Sequence, residues 1–216
     1  QQVQDLRRRV EEKRLISGAG TYQAININQR YIADICSKVK LKKPMRVVID
    51  CGNAVPGVIA PKLFKALGCD VIPLFCDVDG NFPNHHPDPT VLENLDQLCA
   101  EVVRQKADLG IAFDGDGDRV ALVTNEGEAV GNDRLLMLLI KSIAPKYPGA
   151  AIVFDVKCSS AIAQLATQLG AIPVMHRSGH SFMKQKMVET GAPLGGEFAA
   201  HIFIKDRWYG FDDGLY

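Results

Sequence analysis

The sequence predicts an α/β protein built from two consecutive, related three-layer α/β/α units with mainly parallel, mixed sheets. Three observations carry this expectation. Short apolar, β-branched runs alternate with longer amphipathic stretches of helical period. Polar loops follow the runs, where an open parallel sheet presents its functional groups. The alternation pauses at Pro145 and Pro148, then restarts with the same grammar of strand, polar loop, helix and strand.

Taken in order, Val3, Leu6, Val10 and Leu15 form a loose apolar stripe among charges, which predicts a surface helix over residues 1–15. The turn-rich SGAGTYQ leads through Ile25 and Ile27 to a second amphipathic helix over 29–40, ended by KLKKP. From Met45 the pattern becomes α/β. A strand is expected at 46–50, a turn at CGNAVPG, a helix over 58–67 and a strand over 69–75. The segment DVDGNFPNHHPDPT must be a loop, because Pro83, Pro87 and Pro89 lack the N–H a central strand needs. Thr90, with Glu93 three residues on, forms a capping box for a helix running to Lys106. A strand runs into Asp114, another covers 120–124, and an apolar helix covers 132–143. The second half offers strands at 151–155 and 172–176 and helices over 159–169 and from His180 to Glu189. The boundary between halves falls at 144–149.

Bulk properties narrow the function class. The 216 residues can bury a sizeable core, and 25 basic residues balance 25 acidic ones. No basic excess therefore argues for nucleic acid or an anionic membrane, and a small-molecule partner is the default. The six cysteines, Cys36, Cys51, Cys69, Cys76, Cys99 and Cys158, form no CxxC pair and read as reduced thiols of a cytosolic protein. No apolar stretch approaches the roughly 18 residues of a spanning helix, and the opening QQVQDLRRRVEEKRL is too polar for a secretory signal. A soluble, cytoplasmic protein is expected.

The stretch DLGIAFDGDGDRVALV carries the strongest chemical signal. Leu109, Ile111, Ala112 and Phe113 read as a buried strand that delivers Asp114, Asp116 and Asp118 at alternating positions. Gly115 and Gly117 permit the turns that aim alternate carboxylates at one centre. Three such carboxylates repel one another, and a hard cation such as Mg²⁺, which takes oxygen ligands and keeps places for water or phosphate, relieves them. Arg119 is placed to neutralise the cluster or to face a phosphate as a planar fork. A solvated hairpin turn has a similar composition. An EF-hand does not fit, since loop position 6 would be Arg119 and position 12 Asn125.

Four further groups stand at loop positions. Lys157 follows the strand AIVFDV and is expected to occupy the place that Asp114 holds in the first half, although an ordinary surface lysine would read the same. RSGHS puts Gly179 and His180 at a helix start, where free N–H groups favour anions and where a capping histidine is equally at home. GGEFAAH places Glu197 and His201 behind two glycines, and a carboxylate there can accept two sugar hydroxyls or simply face water. His85 and His86, between prolines, suit a structural loop. Trp208, Tyr209 and Phe211 suit core or interdomain packing.

Taken together, DGDGDR, DVKC at 155–158, GHS at 179–181, GGEFAAH at 195–201 and RWYGFDDG at 207–214 resemble the α-D-phosphohexomutases. The resemblance covers almost the whole chain. It implies four domains around a cleft, of which residues 1–40 are the end of domain 1 and its connection, 41–144 are domain 2, and 145–216 are most of domain 3. It implies interconversion of hexose 1-phosphate and hexose 6-phosphate, with mannose or glucose as the hexose, through a phosphoserine and a hexose 1,6-bisphosphate. Asp114, Asp116 and Asp118 would hold Mg²⁺, Arg119 would help place the phosphoryl group, and Glu197 would hold sugar hydroxyls with Lys157, His180 and His201 nearby. The phosphosugar and the remaining domains 1 and 4 of the same polypeptide are the implied partners. Two departures are visible. A TASHNP-like serine loop and a phosphate-binding loop of domain 4 are absent from the sequence, so this stretch alone is expected to be inactive. The sugar loop, usually of GExSGH type, has Ala199 where the family has serine, which removes a hydrogen bond of roughly 0.5 to 1.5 kcal/mol. Two other readings remain open: a non-catalytic sugar-phosphate binding module, and a haloacid-dehalogenase-like phosphatase with Asp114 as nucleophile.

Overall fold

A computed structural model describes residues 2–216 and forms two sheets flanked by helices. The first sheet contains β1 (Arg46–Asp50), β2 (Asp70–Leu74), β3 (Leu109–Phe113), β4 (Val120–Thr124) and β5 (Ala129–Val130), in the order β2-β1-β3-β4-β5. β1 runs parallel to both β2 and β3, and β4 and β5 close the sheet antiparallel. β1 reads as a continuous β-branched run because both its faces are covered. Val48 and Ala112 face one layer with Leu98 and Val102 of α4 (Asp96–Gln105), whereas Val47, Ile49, Ile111 and Phe113 face the other with Ala60 of α3 (Ala60–Ala66). α1 (Gln2–Glu11) leaves Val3, Leu6 and Val10 exposed.

The second sheet repeats the plan. β6 (Ala151–Asp155), β7 (Ile172–His176), β8 (Leu194–Gly196) and β9 (Ile202–Ile204) are ordered β7-β6-β8-β9, with β6 parallel to β7 and β8, and β9 antiparallel. Ile152 and Phe154 pack under α5 (Asn132–Ile143) and α6 (Ala161–Gln168), and Val153 packs under Met183 and Met187 of α7 (His180–Thr190). With α2 (Asn28–Lys38), each half reads helix, strand, helix, strand, helix, strand, strand, and the first adds the short β5. The repeat extends to detail: β2 and β7 are edge strands, and each carries a proline, Pro73 opposite Ile49 and Pro173 opposite Ile152. A missing N–H is tolerated there because an edge strand has a free side. No helix of the described residues is long and apolar enough to cross a membrane.

The fold class matches the sequence expectation, and three details differ. First, a boundary at 144–149 separates α5 from its own core, because Leu135, Leu136, Ile140 and Ile143 pack on Ile152, Phe154 and Ile162 of the second half. α2 likewise belongs to the first unit, where Ile35 packs with Leu63 of α3. Second, Thr90 caps no helix. Its hydroxyl donates to Asp88 Oδ1 at 2.7 Å, a 3-10 turn covers Leu92–Leu95, and α4 starts only at Asp96. Third, β5, β8 and β9 are strands of two or three residues, too short for a periodic signal to register.

The units meet at their functional loops. Arg119 and His201 form an antiparallel bridge, and Val120 N–H donates to the Ala200 carbonyl at 3.4 Å. The C-terminal segment lies across this junction. Gly214 N–H donates to the Gly117 carbonyl at 2.9 Å, and a Cβ at Gly214 would stand 2.7 Å from the Arg119 carbonyl oxygen. Trp208 is buried against Ile35 and Leu63 and stacks on Tyr216, whereas Tyr209 and Phe211 stay exposed.

Candidate metal centre

β3 is buried from Gly110 to Phe113 and delivers Asp114 to its carboxyl end, where that residue is only 4% exposed. Asp114 Oδ1 accepts the N–H groups of Gly117 (3.0 Å) and Arg119 (3.1 Å), which curls the loop back on itself. Gly117 makes the curl possible: its φ is +82°, and a Cβ would stand 3.0 Å from Leu215 and 3.1 Å from Pro56. Asp114 Oδ2 accepts from Arg119 Nε at 2.7 Å, and Arg119 Nη1 donates to Asp88 Oδ1 at 3.0 Å. Arg119 is thus braced between two carboxylates and neutralises the base of the loop. Asp88 went unnoticed in the sequence because a proline-flanked aspartate reads only as a turn residue.

The curl brings one carboxylate oxygen from each of Asp114, Asp116 and Asp118 to within 4.8 Å of the others. Burial, together with the like charges of Asp114 and Asp116, pushes the Asp118 carboxyl up to about 6 against the pull of His201. Crowded, mutually repelling oxygen donors are what a hard divalent cation such as Mg²⁺ relieves, so the residues present fit that group. The loop opens on a depression of about 250 Å³ lined by Asp116, Asp118, Asp212, Asp213 and Phe211. Asp114 is poorly placed to act as a nucleophile, because it is buried and both oxygens already accept hydrogen bonds.

The second unit contributes the opposite side. Glu197 follows β8 as Asp114 follows β3, and Asp155 ends β6 as Asp50 ends β1. The place of Asp114 is therefore taken by Glu197, not by Lys157, which follows β6, is exposed and lies in the turn equivalent to the one after β1. Glu197 is 4% exposed, and its Oε1 accepts the Gly179 N–H at 2.7 Å at the start of α7. Fully buried Asp155 accepts from Ser178 Oγ (2.7 Å), Cys158 Sγ (3.0 Å) and Phe198 N–H (3.2 Å). One carboxylate thereby ties together the three loops that carry Lys157, His180 and Glu197. Ala199 is partly exposed beside Ala200, whose φ of +72° lies in the left-handed region.

His201 reaches the metal loop from this side. Its Nδ1 lies 3.5 Å from Asp118 Oδ2 and 3.1 Å from Asp212 Oδ2, and its ring stacks on His180 at 5.5 Å between centroids. Asp212 also meets Lys184 Nζ at 2.8 Å and His180 Nδ1 at 3.3 Å. Burial opposes a charge on His201, but Asp212, Asp118 and Glu197 outweigh it and hold its pKa above the ordinary histidine range. His201 and Lys184 hold the Asp212 carboxyl below the usual carboxylate range despite its burial. Asp212 was not singled out in the sequence. Its signal was the paired acid in FDDG, whose second member, Asp213, instead accepts from Tyr31 Oη (2.7 Å) and Trp208 Nε1 (3.1 Å).

Comparison with known proteins agrees with this architecture. Residues 29–127 match the family model for phosphoglucomutase/phosphomannomutase α/β/α domain II, and 131–216 match that for domain III. The models part before α5, where the packing divides the cores. The chain is 55% identical over 216 residues to a phosphomannomutase/phosphoglucomutase of Pseudomonas aeruginosa, covering all of this chain and 47% of that protein. It is 44% identical to a phosphoglucomutase of Neisseria gonorrhoeae, over 99% of this chain and 47% of the relative. A crystal structure of a phosphoglucomutase/phosphomannomutase family protein from Burkholderia thailandensis superposes with a TM-score of 0.95 at 47% identity, covering all of this chain and 47% of that one. The chain spans about half the length of these relatives. It belongs to the phosphoglucomutase/phosphomannomutase family and carries that family's α/β/α domains II and III.

Proposed function

We propose that this chain supplies the metal centre and one wall of the sugar-phosphate cleft of a phosphohexomutase. The whole enzyme interconverts hexose 1-phosphate and hexose 6-phosphate, with mannose, glucose or both as the hexose, through a phosphoserine and a hexose 1,6-bisphosphate. The observation that carries the reading is the meeting of Asp118 and His201 across the Arg119–His201 bridge, which sets an acidic metal loop against a sugar-type loop. Asp114, Asp116 and Asp118 would hold Mg²⁺. When bound, Mg²⁺ neutralises charge on the oxygens of a transferring phosphoryl group, the main demand of this chemistry.

The chain's own residues do the rest. Arg119, braced by Asp114 and Asp88, fixes the loop from which the carboxylates project. Glu197 spends one oxygen on Gly179 N–H and would accept sugar hydroxyls on the other. His180, His201 and Lys157 would meet the hydroxyl and phosphate groups. No serine-bearing TASHNP-like loop occurs among the 216 residues, so turnover requires domains 1 and 4 of the same polypeptide. Ala199 offers no hydroxyl to the sugar, and that single feature favours the second reading, a module that binds sugar phosphate without turning it over.

The test is a coupled assay of a polypeptide spanning all four domains on glucose 1-phosphate and mannose 1-phosphate, with Mg²⁺ and a trace of the bisphosphate. Turnover in that protein, lost in Asp116→Asn and absent from the present chain, is the expected result. Binding of hexose phosphate without turnover would support the binding module. Unchanged turnover in Asp116→Asn would remove the metal assignment.

A further inference from the structure

Behind the acidic loop, the ends of β1 and β2 hold two thiols together. Cys51 Sγ lies 3.5 Å from Cys76 Sγ. The backbones that carry them are tied: Cys51 N–H donates to the Leu74 carbonyl at 3.2 Å, and Asn53 N–H donates to the Phe75 carbonyl at 2.7 Å. The side chain of Asn53 adds a hydrogen bond to the Asp77 carbonyl at 2.9 Å, and Gly57 packs so closely on Cys76 that a Cβ would lie 2.0 Å from its carbonyl oxygen. These ties hold the two side chains next to each other, and a disulfide of about 2 Å requires the sulfurs to close from 3.5 Å.

We propose that Cys51 and Cys76 are a redox-modification site, closed to a reversible disulfide by hydrogen peroxide. The two thiols differ in the way such a pair requires. Cys76 is partly exposed, whereas Cys51 is fully buried. The contact between the two sulfurs holds the Cys76 thiol below its ordinary range, and the same contact with burial pushes Cys51 up. Cys76 is thus the thiolate that meets the oxidant, and Cys51 resolves it. In the first step, Cys76 thiolate attacks one peroxide oxygen. An S–O bond forms, the O–O bond breaks, and hydroxide leaves and is protonated to water. In the second, Cys51 sulfur attacks Cys76 sulfur as it gives up its proton. The S–S bond forms, the S–O bond breaks, and the departing hydroxide takes that proton as a second water. Two thiols are oxidised by two electrons, and one peroxide is reduced to two waters.

The link would sit directly behind the metal loop, since Val55, in the turn after Cys51, donates its N–H to the Gly115 carbonyl at 3.3 Å. Cys36, Cys69 and Cys99 are partly exposed as well, but Cys76 is the one that lies against a second sulfur, and burial pushes the Cys69 and Cys99 thiols up.

The test is hydrogen peroxide treatment of the reduced chain at neutral pH, followed by alkylation and tandem mass spectrometry. The expected result is loss of two of the six free thiols, a Cys51–Cys76 linked peptide, and full recovery of both thiols with dithiothreitol. In Cys51→Ser the same treatment leaves Cys76 as a sulfenic acid that dimedone labels, and in Cys76→Ser Cys51 stays unlabelled. The wild-type mapping stands whether or not the variants fold. Cys51 and Cys76 alkylated as free thiols after the other cysteines have oxidised, or scattered links with no preference for this pair, would overturn the proposal.

Discussion

Arg119 and His201 pair backbone to backbone as an antiparallel bridge, so the hairpin that follows Asp114 and the hairpin that follows Glu197 meet at one seam. The two halves of the molecule are copies of one plan, and the seam joins equivalent loops. Each copy turns its buried carboxylate, Asp114 or Glu197, to a different task. Asp114 holds the curl of an acidic loop, and Glu197 holds the start of α7. Asp118 and His201 then face each other at 3.5 Å although they come from different units.

Asp114 and Asp116 are predicted to separate fold from chemistry. Asp114→Asn places an amide that can donate against Arg119 Nε and leaves the guanidinium with Asp88 as its remaining close carboxylate partner. Removing one member of such a mostly buried pair destabilises by about 2 kcal/mol or more. Asp116 is exposed, and Asp116→Asn should stay within about 0.5 kcal/mol of the parent. Urea unfolding of the two variants checks the contrast, and equal midpoints would contradict it.

Ala200 is predicted to be a repairable strain. Its φ of +72° costs an L-residue roughly 1 to 2 kcal/mol, and glycine adopts the conformation freely at some entropic cost in the unfolded chain. Ala200→Gly should therefore stabilise the protein by about 0.5 to 1 kcal/mol, measured as a raised Tm. A lowered Tm would show that the Ala200 methyl packs more favourably than its backbone suffers.

His85 should impose a pH dependence of known sign. Its Nε2 lies 3.0 Å from buried Asp50 and its Nδ1 lies 3.0 Å from the His86 carbonyl, contacts that suit the imidazolium. The hydrogen bond with Asp50 raises its pKa above 6.5 against the opposing effect of burial. A pKa raised on folding contributes stability that is fully present below the unfolded value of 6.5 and is lost as pH rises through the folded value. Relative to His85→Gln, the wild type should lose stability from pH 6 to 8, by at most about 1.4 kcal/mol per pH unit. Parallel pH profiles of the two proteins would contradict this role.

Much of this was legible in the sequence, and the gaps have physical causes. β1, β6, β7 and α5 fall at the residues the periodicity marked; β1, β6 and α5 present a full apolar run or stripe to a core, and edge strand β7 is marked by its apolar residues although none of them is fully buried. β8 and β9 escaped because three residues, two of them glycine in β8, carry no period, and their loss hid the equivalence of Glu197 and Asp114. Lys157 was matched to Asp114 for the same reason: with β8 unseen, β6 looked like the counterpart of β3. α5 was given to the wrong unit because prolines after a helix suggest a linker, whereas only packing tells which sheet the helix covers. The acidic triad was evident from spacing alone, but the Asp212 cluster depends on a chain segment folding back across the seam, which no local pattern encodes.

The central claim is that Asp114, Asp116 and Asp118 form a divalent-cation site, and calorimetric titration of Mg²⁺ into this chain, beside Asp116→Asn, tests it most directly. The account predicts a single saturable site in the parent that is weakened at least tenfold in the folded variant, a loss of about 1.4 kcal/mol or more. Equal Mg²⁺ binding by both proteins, or none by the folded parent, would contradict it.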